Sequence, residues 1–143
     1  MDIDDLIARA AERTGLETGR VRIAAAGALG LLDRHAGQAE LSQLYAGVAG
    51  AEELARSPEG ATRSGGGLFG GLMKSAGGVS GKAMADAMGL MDRLRAQGLD
   101  REDVRRLVPA LREAVRTDTG RDLLGEAVRS VPGVGGLLGA DQA

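Results

Sequence analysis

The chain has no cysteine and no tryptophan, a single phenylalanine (Phe69), a single tyrosine (Tyr45) and a single histidine (His35). Lysine is nearly missing too, with Lys74 and Lys82 the only two among 18 basic residues. The lack of cysteine excludes disulfides, thiolate metal sites and cysteine nucleophiles. Surfaces that stack bases, sugars or flat cofactors present aromatic rings, and this chain has almost none to present. The 20 acids and 18 bases leave a net charge of −2, so no strong field draws the protein to nucleic acid, and no nucleic-acid partner is expected. No run approaches the roughly 18 apolar residues that span a bilayer. The opening Met1-Asp2-Ile3-Asp4-Asp5 is acidic where a signal peptide is basic and then apolar. That predicts a cytoplasmic protein, with an exported protein shown without its leader as the other reading.

What is present is glycine, 24 residues of it, and an aliphatic content ordinary for a packed domain. Ile3, Leu6, Ile7 and Ala10 fall at helical spacing over residues 3–13, with Asp2, Asp4 and Asp5 at the positive end of the helix dipole and Gly15 placed to end it. A second helix is expected from Thr18 to His35. Its uncharged middle, Ile23 to Leu32, predicts burial nearly all round. A third, shorter helix from Ala39 to Tyr45 or Ala46 would turn Leu41, Leu44, Tyr45 and Val48 inward.

From Ser57 to Gly81 the texture changes: nine of 25 residues are glycine, which makes a regular helix costly in backbone entropy. This stretch is read as a connector. Helical spacing resumes at Lys82 with a stripe of Met84, Ala87, Met88, Met91 and Leu94. Asp100 and Asp103 form a variant of the capping box ahead of Val104, Leu107, Val108, Leu111 and Val115. Pro109 should kink that helix or mark the end of a short first segment. Asp122 opens a last helix through Leu123, Leu124, Ala127 and Val128.

The two halves align without gaps at an offset of 83 residues. Gly15-Leu16 falls on Gly98-Leu99, Val21-Arg22 on Val104-Arg105, Gly37 on Gly120, Leu41 on Leu124, and Val48-x-Gly50 on Val131-x-Gly133. One unit of about 45 residues is marginal alone. The expected fold is therefore all-α: a six-helix bundle from two tandem three-helix units, residues 1–56 and 82–143, joined by the glycine-rich connector 57–81 and packed as one domain.

Several groupings invite chemistry. His35 closes the second helix, where an imidazolium would satisfy carbonyls and the dipole; no serine stands in a nucleophile-elbow setting to make it catalytic. The acidic clusters at 2–5 and 100–103 lack the oxygen count and the turn of a hard-cation loop and are read as helix-start charge. Arg101, Arg105, Arg112 and Arg116 alternate with Glu102, Asp103, Glu113 and Asp118, the pattern of a solvated face, with a carboxylate-bearing partner as the second reading. Met84, Met88 and Met91 either pack into the core or line an adaptable apolar pocket or partner groove. The connector carries Leu68, Phe69, Leu72 and Met73. These side chains either pin it onto the bundle, form a lid over an apolar cavity, or dock on a partner or a membrane surface. Its glycines match neither a P-loop nor a dinucleotide fingerprint. No catalytic residue, metal or cofactor is expected.

The Gly15-Leu16 turn, the Ala-Gly-Ala-Leu-Gly-Leu-Leu run at 26–32, Leu41-Ser-Gln-Leu, the Val48-x-Gly50 turn, the Gly/Leu-rich middle, Gly98-Leu99-Asp100 and Leu107-Val108-Pro109 follow one another along nearly the whole chain. In that order they resemble the VcgC/VcgE-like family of uncharacterised bacterial proteins. The resemblance implies an all-helical fold and brings no activity or catalytic residue. Members of that family often look exported, and this chain departs from them in lacking a leader. The expected function is a non-enzymatic binding protein with an apolar groove where the halves meet, gated by the connector. The alternatives are a self-associating homodimer and a peripheral lipid-binding protein.

Overall fold

The computed structural model describes residues 1–57 and 83–131. The structure is all-α, with seven helices among the described residues: α1 Ile3–Thr14, α2 Thr18–His35, α3 Gln38–Gly47, α4 Ala51–Ala55, α5 over 83–96, α6 Arg101–Thr119 and α7 Leu123–Arg129. The connector's Leu68, Phe69, Leu72 and Met73 and the tail from 132 lie outside the described residues.

Helix ends follow their chemistry. Gly15 and Gly98, which end α1 and α5, take the left-handed conformation at φ +75° and +88°, which costs any residue with a Cβ. Asp100 caps α6 with the reciprocal box expected of it: its side chain accepts from the Asp103 amide, and the Asp103 carboxylate accepts from the Asp100 amide. Asp122 caps α7 by accepting from Gly125.

Three expectations need correcting. The first half holds four helices rather than three. Gly50, at φ +87°, turns the chain directly into the short α4, and Leu54 and Ala55 of that turn are buried. Pro109 neither ends α6 nor divides it. It stands on the exposed face, where the carbonyl that loses its intrahelical partner can be hydrated. Arg112 does not belong to a solvated face. It is half-buried, and its Nε and Nη2 donate to Asp122 at 3.2 and 2.6 Å, while Arg101, Arg105 and Arg116 are exposed as expected.

The halves share one core. α1 packs on α6 and α2, α3 on α7, and α2 on α4. Helix α2 is wrapped as its apolar run predicts: Ala24 to Gly27 and Leu29 to Leu32 are buried, leaving Ile23 and Ala28 half-covered. It meets α5 at a glycine. A Cβ on Gly27 would lie 2.3 Å from Leu90 Cδ1, so the two helices approach at a distance only a missing side chain allows.

Paired charges set the acid limit. Burial alone would raise the Asp122 carboxyl, but hydrogen bonds from Arg112 and the Gly125 amide outweigh it and hold the group below the usual carboxylate range. Asp103 is held down by Arg106 and by the Asp100 amide. In both cases the folded pKa lies under the unfolded value of about 3.9, so the stabilisation is complete above that value and is lost as pH falls through the folded pKa. Urea unfolding should therefore show lower stability at pH 3 than at pH 7. Asp122→Asn keeps a good N-cap and removes the charge, and should cost about 1 kcal/mol at pH 7 with a smaller loss on acidification. An unchanged pH profile in that variant would assign the acid sensitivity elsewhere.

Candidate functional site

A cavity of about 30 Å³ lies where the two halves meet. Its walls come from α1 (Ile3, Leu6), α2 (Ala25, Ala28, Leu29), the α3–α4 region (Leu44, Val48, Ala51), α6 (Val108, Leu111) and α7 (Leu124, Val128). Every described wall residue is aliphatic, and Ala28 is the one among them that is not fully buried.

The space arises from side-chain size. Helix α2 contributes Ala25 and Ala28 where larger residues would fill the gap against Val108 and Leu111. A space of that order admits a small aliphatic group. With no polar side chain among the described wall residues, water gains little there, and apolar cavities of this kind stay dry. The wall can hold an aliphatic group by dispersion and exclusion of water, and offers nothing to a charged or hydrogen-bonding one.

Methionines expected at the site stand apart from it. The buried face of α5 consists of Ala83, Ala87, Leu90 and Leu94. Of the expected stripe, Ala87 and Leu94 are buried and Met91 packs half-buried against the core, whereas Met84 is half-buried and Met88 is 55% exposed. Leu90 is the α5 residue that meets α2 at Gly27. None of Met84, Met88 and Met91 lines the cavity. Leu68, Phe69, Leu72 and Met73 lie outside the described residues. Two pairs of its wall residues correspond at the offset of 83, Ala25 with Val108 and Ala28 with Leu111.

A second grouping joins α2 to α5. His35 closes α2 as expected, and its side chain also reaches across to α5. Its Nε2 lies 2.8 Å from Asp86 Oδ2, the oxygen that also accepts from Arg34 Nε at 2.8 Å. Burial would raise the Asp86 carboxyl, but the bonds from Arg34 and His35 outweigh it and hold the group below its ordinary value. Arg93, two turns further along α5, feels the charges of both Arg34 and Asp86. Its Nε and Nη2 are buried with no hydrogen-bond acceptor.

Tyr45 is half-buried and donates to Asp33 at 2.9 Å, and burial followed by that carboxylate drives its phenol well above the ordinary range. Among the described residues no group of three or more acidic or histidine side chains could hold a metal ion, and no helix is long and apolar enough to cross a membrane. Comparison with family models, curated proteins and solved structures finds no match to the chain.

Proposed function

We propose that the protein is a non-enzymatic binding module, built from two tandem helical units, that takes an aliphatic group of its ligand into the apolar seam between them. The observation that carries this reading is the cavity, whose described wall residues are all aliphatic and are drawn from both halves. Its size suits the end of an alkyl chain rather than a ring, and the rest of such a ligand would lie outward past Ala28.

Tandem construction is supported by helix positions. Shifted by 83 residues, α1 falls on α5, α2 on α6 and α3 on α7, with the glycine turns Gly15 and Gly98 coinciding. The packing follows the same exchange: α1 lies on α6 as α2 lies on α5, and α3 lies on α7. Val108 and Leu111 of the cavity are the counterparts of Ala25 and Ala28, which sets the cavity across the relation between the units. The likeness to the VcgC/VcgE-like family adds no activity to this reading. Self-association through exposed apolar surface has less behind it, since Met88 is the large hydrophobic side chain left exposed among the described residues.

The test is uptake of 1-hexanol by the full chain. Ligand at ten times its Kd should stabilise the fold by about 1.4 kcal/mol, a rise in Tm of roughly 4 °C, with amide shifts centred on Ala28, Leu29, Val108 and Leu111. Ala28→Leu fills the cavity from its own wall and should raise stability by about 0.5–1 kcal/mol while abolishing the response to hexanol. A response that survives this substitution, or none in the parent protein, would contradict the reading.

A further inference from the structure

The spare room at the seam lies on the side of α2. Where α6 turns Val108 and Leu111 toward the cavity, the corresponding positions of α2 carry Ala25 and Ala28. Valine and leucine are larger than alanine by two and three carbons, so the two units meet large against small. Interiors are packed to crystal density, and an unfilled methylene costs stability. Gly27 is small because Leu90 stands against it, whereas Ala25 and Ala28 have open space before them. Packing accounts for the glycine and leaves the two alanines unexplained.

Ala25 and Ala28 stand about one helical turn apart on one face of α2. Ala25 is 3% exposed and Ala28 is half-covered, so a chain lying along this face has its outer end at Ala28 and its inner end at Ala25. The volume of about 30 Å³ holds roughly two or three non-hydrogen atoms. Each methylene buried there strengthens binding about fourfold. An ether or hydroxyl oxygen in the same place gives up its hydrogen bonds to water, and no polar side chain among the described wall residues replaces them. That loss weakens binding at least about tenfold.

We infer, building on uptake at the seam, that Ala25 and Ala28 are the specificity-determining residues of a site for the methyl end of an alkyl chain. They set its depth: about three carbons enter, and the first polar atom of the ligand stands at the fourth position or beyond. The ligand class is an amphiphile whose chain ends in an uninterrupted propyl or longer segment. A chain with oxygen nearer its end is rejected, because the oxygen would have to lie between Ala25 and Val108.

Four isomeric alkoxy alcohols test this depth, since they share one composition and differ in where the ether oxygen falls. They are 2-butoxyethanol, 3-propoxypropan-1-ol, 4-ethoxybutan-1-ol and 5-methoxypentan-1-ol. Each is titrated into the full chain and followed by the amide shifts of Leu29, Val108 and Leu111. The butoxy and propoxy isomers should bind alike, the methoxy isomer at least about tenfold more weakly, and the ethoxy isomer between them. Ala25→Val shortens the gap from its inner end. It should weaken the butoxy isomer roughly tenfold and bring the ethoxy isomer level with it. Far-UV circular dichroism confirms that the variant is folded, and the isomer series in the parent protein needs no substitution. Equal affinity of all four isomers in the parent, or an order of affinities unchanged in folded Ala25→Val, would overturn the inference and leave uptake at the seam standing. Binding of 1-hexanol without binding of the butoxy isomer would do the same. Failure of 1-hexanol itself to bind contradicts the seam reading, and the depth rule falls with it.

Discussion

Leu107→Ala should lower the unfolding free energy by about 3 kcal/mol, and the loss should be visible from the opposite half of the chain. Leu107 lies on α6 with 2% of its surface exposed, and truncating a buried leucine removes transfer energy and leaves a cavity, for a total of about 2–5 kcal/mol. The reporter is Tyr45 on α3, the only tyrosine in a chain without tryptophan. Because α1 packs on α6 and α3 on α7, the halves should melt together. Tyrosine fluorescence and far-UV circular dichroism should then give the same lowered urea midpoint in the variant. If the Tyr45 transition stayed at the parent's midpoint while the helical signal moved, the halves would be independent and a binding seam between them would have no physical basis.

The second large effect belongs to the contact of α2 with α5. Gly27→Val should cost about 2 kcal/mol even though valine is the better helix former, because the first added carbon already falls within 2.3 Å of Leu90 Cδ1. Leu90 is 3% exposed and has little room to retreat. Leu90→Ala alone should cost about 3 kcal/mol through the void it leaves. The two together nearly conserve volume, so the double variant should be at least about 1 kcal/mol more stable than the sum of the singles predicts. Strict additivity in a denaturation cycle would show that the helices do not meet at this pair.

The sequence was informative where local chemistry decides structure. The span of α2 from Thr18 to His35, the Asp100–Asp103 box and the Gly15 and Gly98 turns are set by neighbours a few residues away, and each stands where the residues point. Helix α4 was hidden because Val48-x-Gly50 reads as a turn, and five residues are too few for a periodic signal. On α5 the methionines outrank Ala83 and Ala87 in hydropathy, yet the two alanines are the residues buried there. His35 ends α2 as its place in the sequence indicates, but its partner, Asp86, is 51 residues away and only the fold brings them together. The walls of the cavity are not legible in the sequence. Which small residues fail to fill a gap depends on the three-dimensional register of α2 against α6 and α7.

The account rests on an aliphatic group entering between the two units. Soaking a crystal of the full chain with 1-bromobutane and locating the bromine by its anomalous scattering tests that most directly. The account predicts a bromine peak within about 4 Å of Ala28, Leu29, Val108 and Leu111, absent in Ala28→Leu. Bromine bound only at other surfaces, or the same peak in the filled variant, would contradict it.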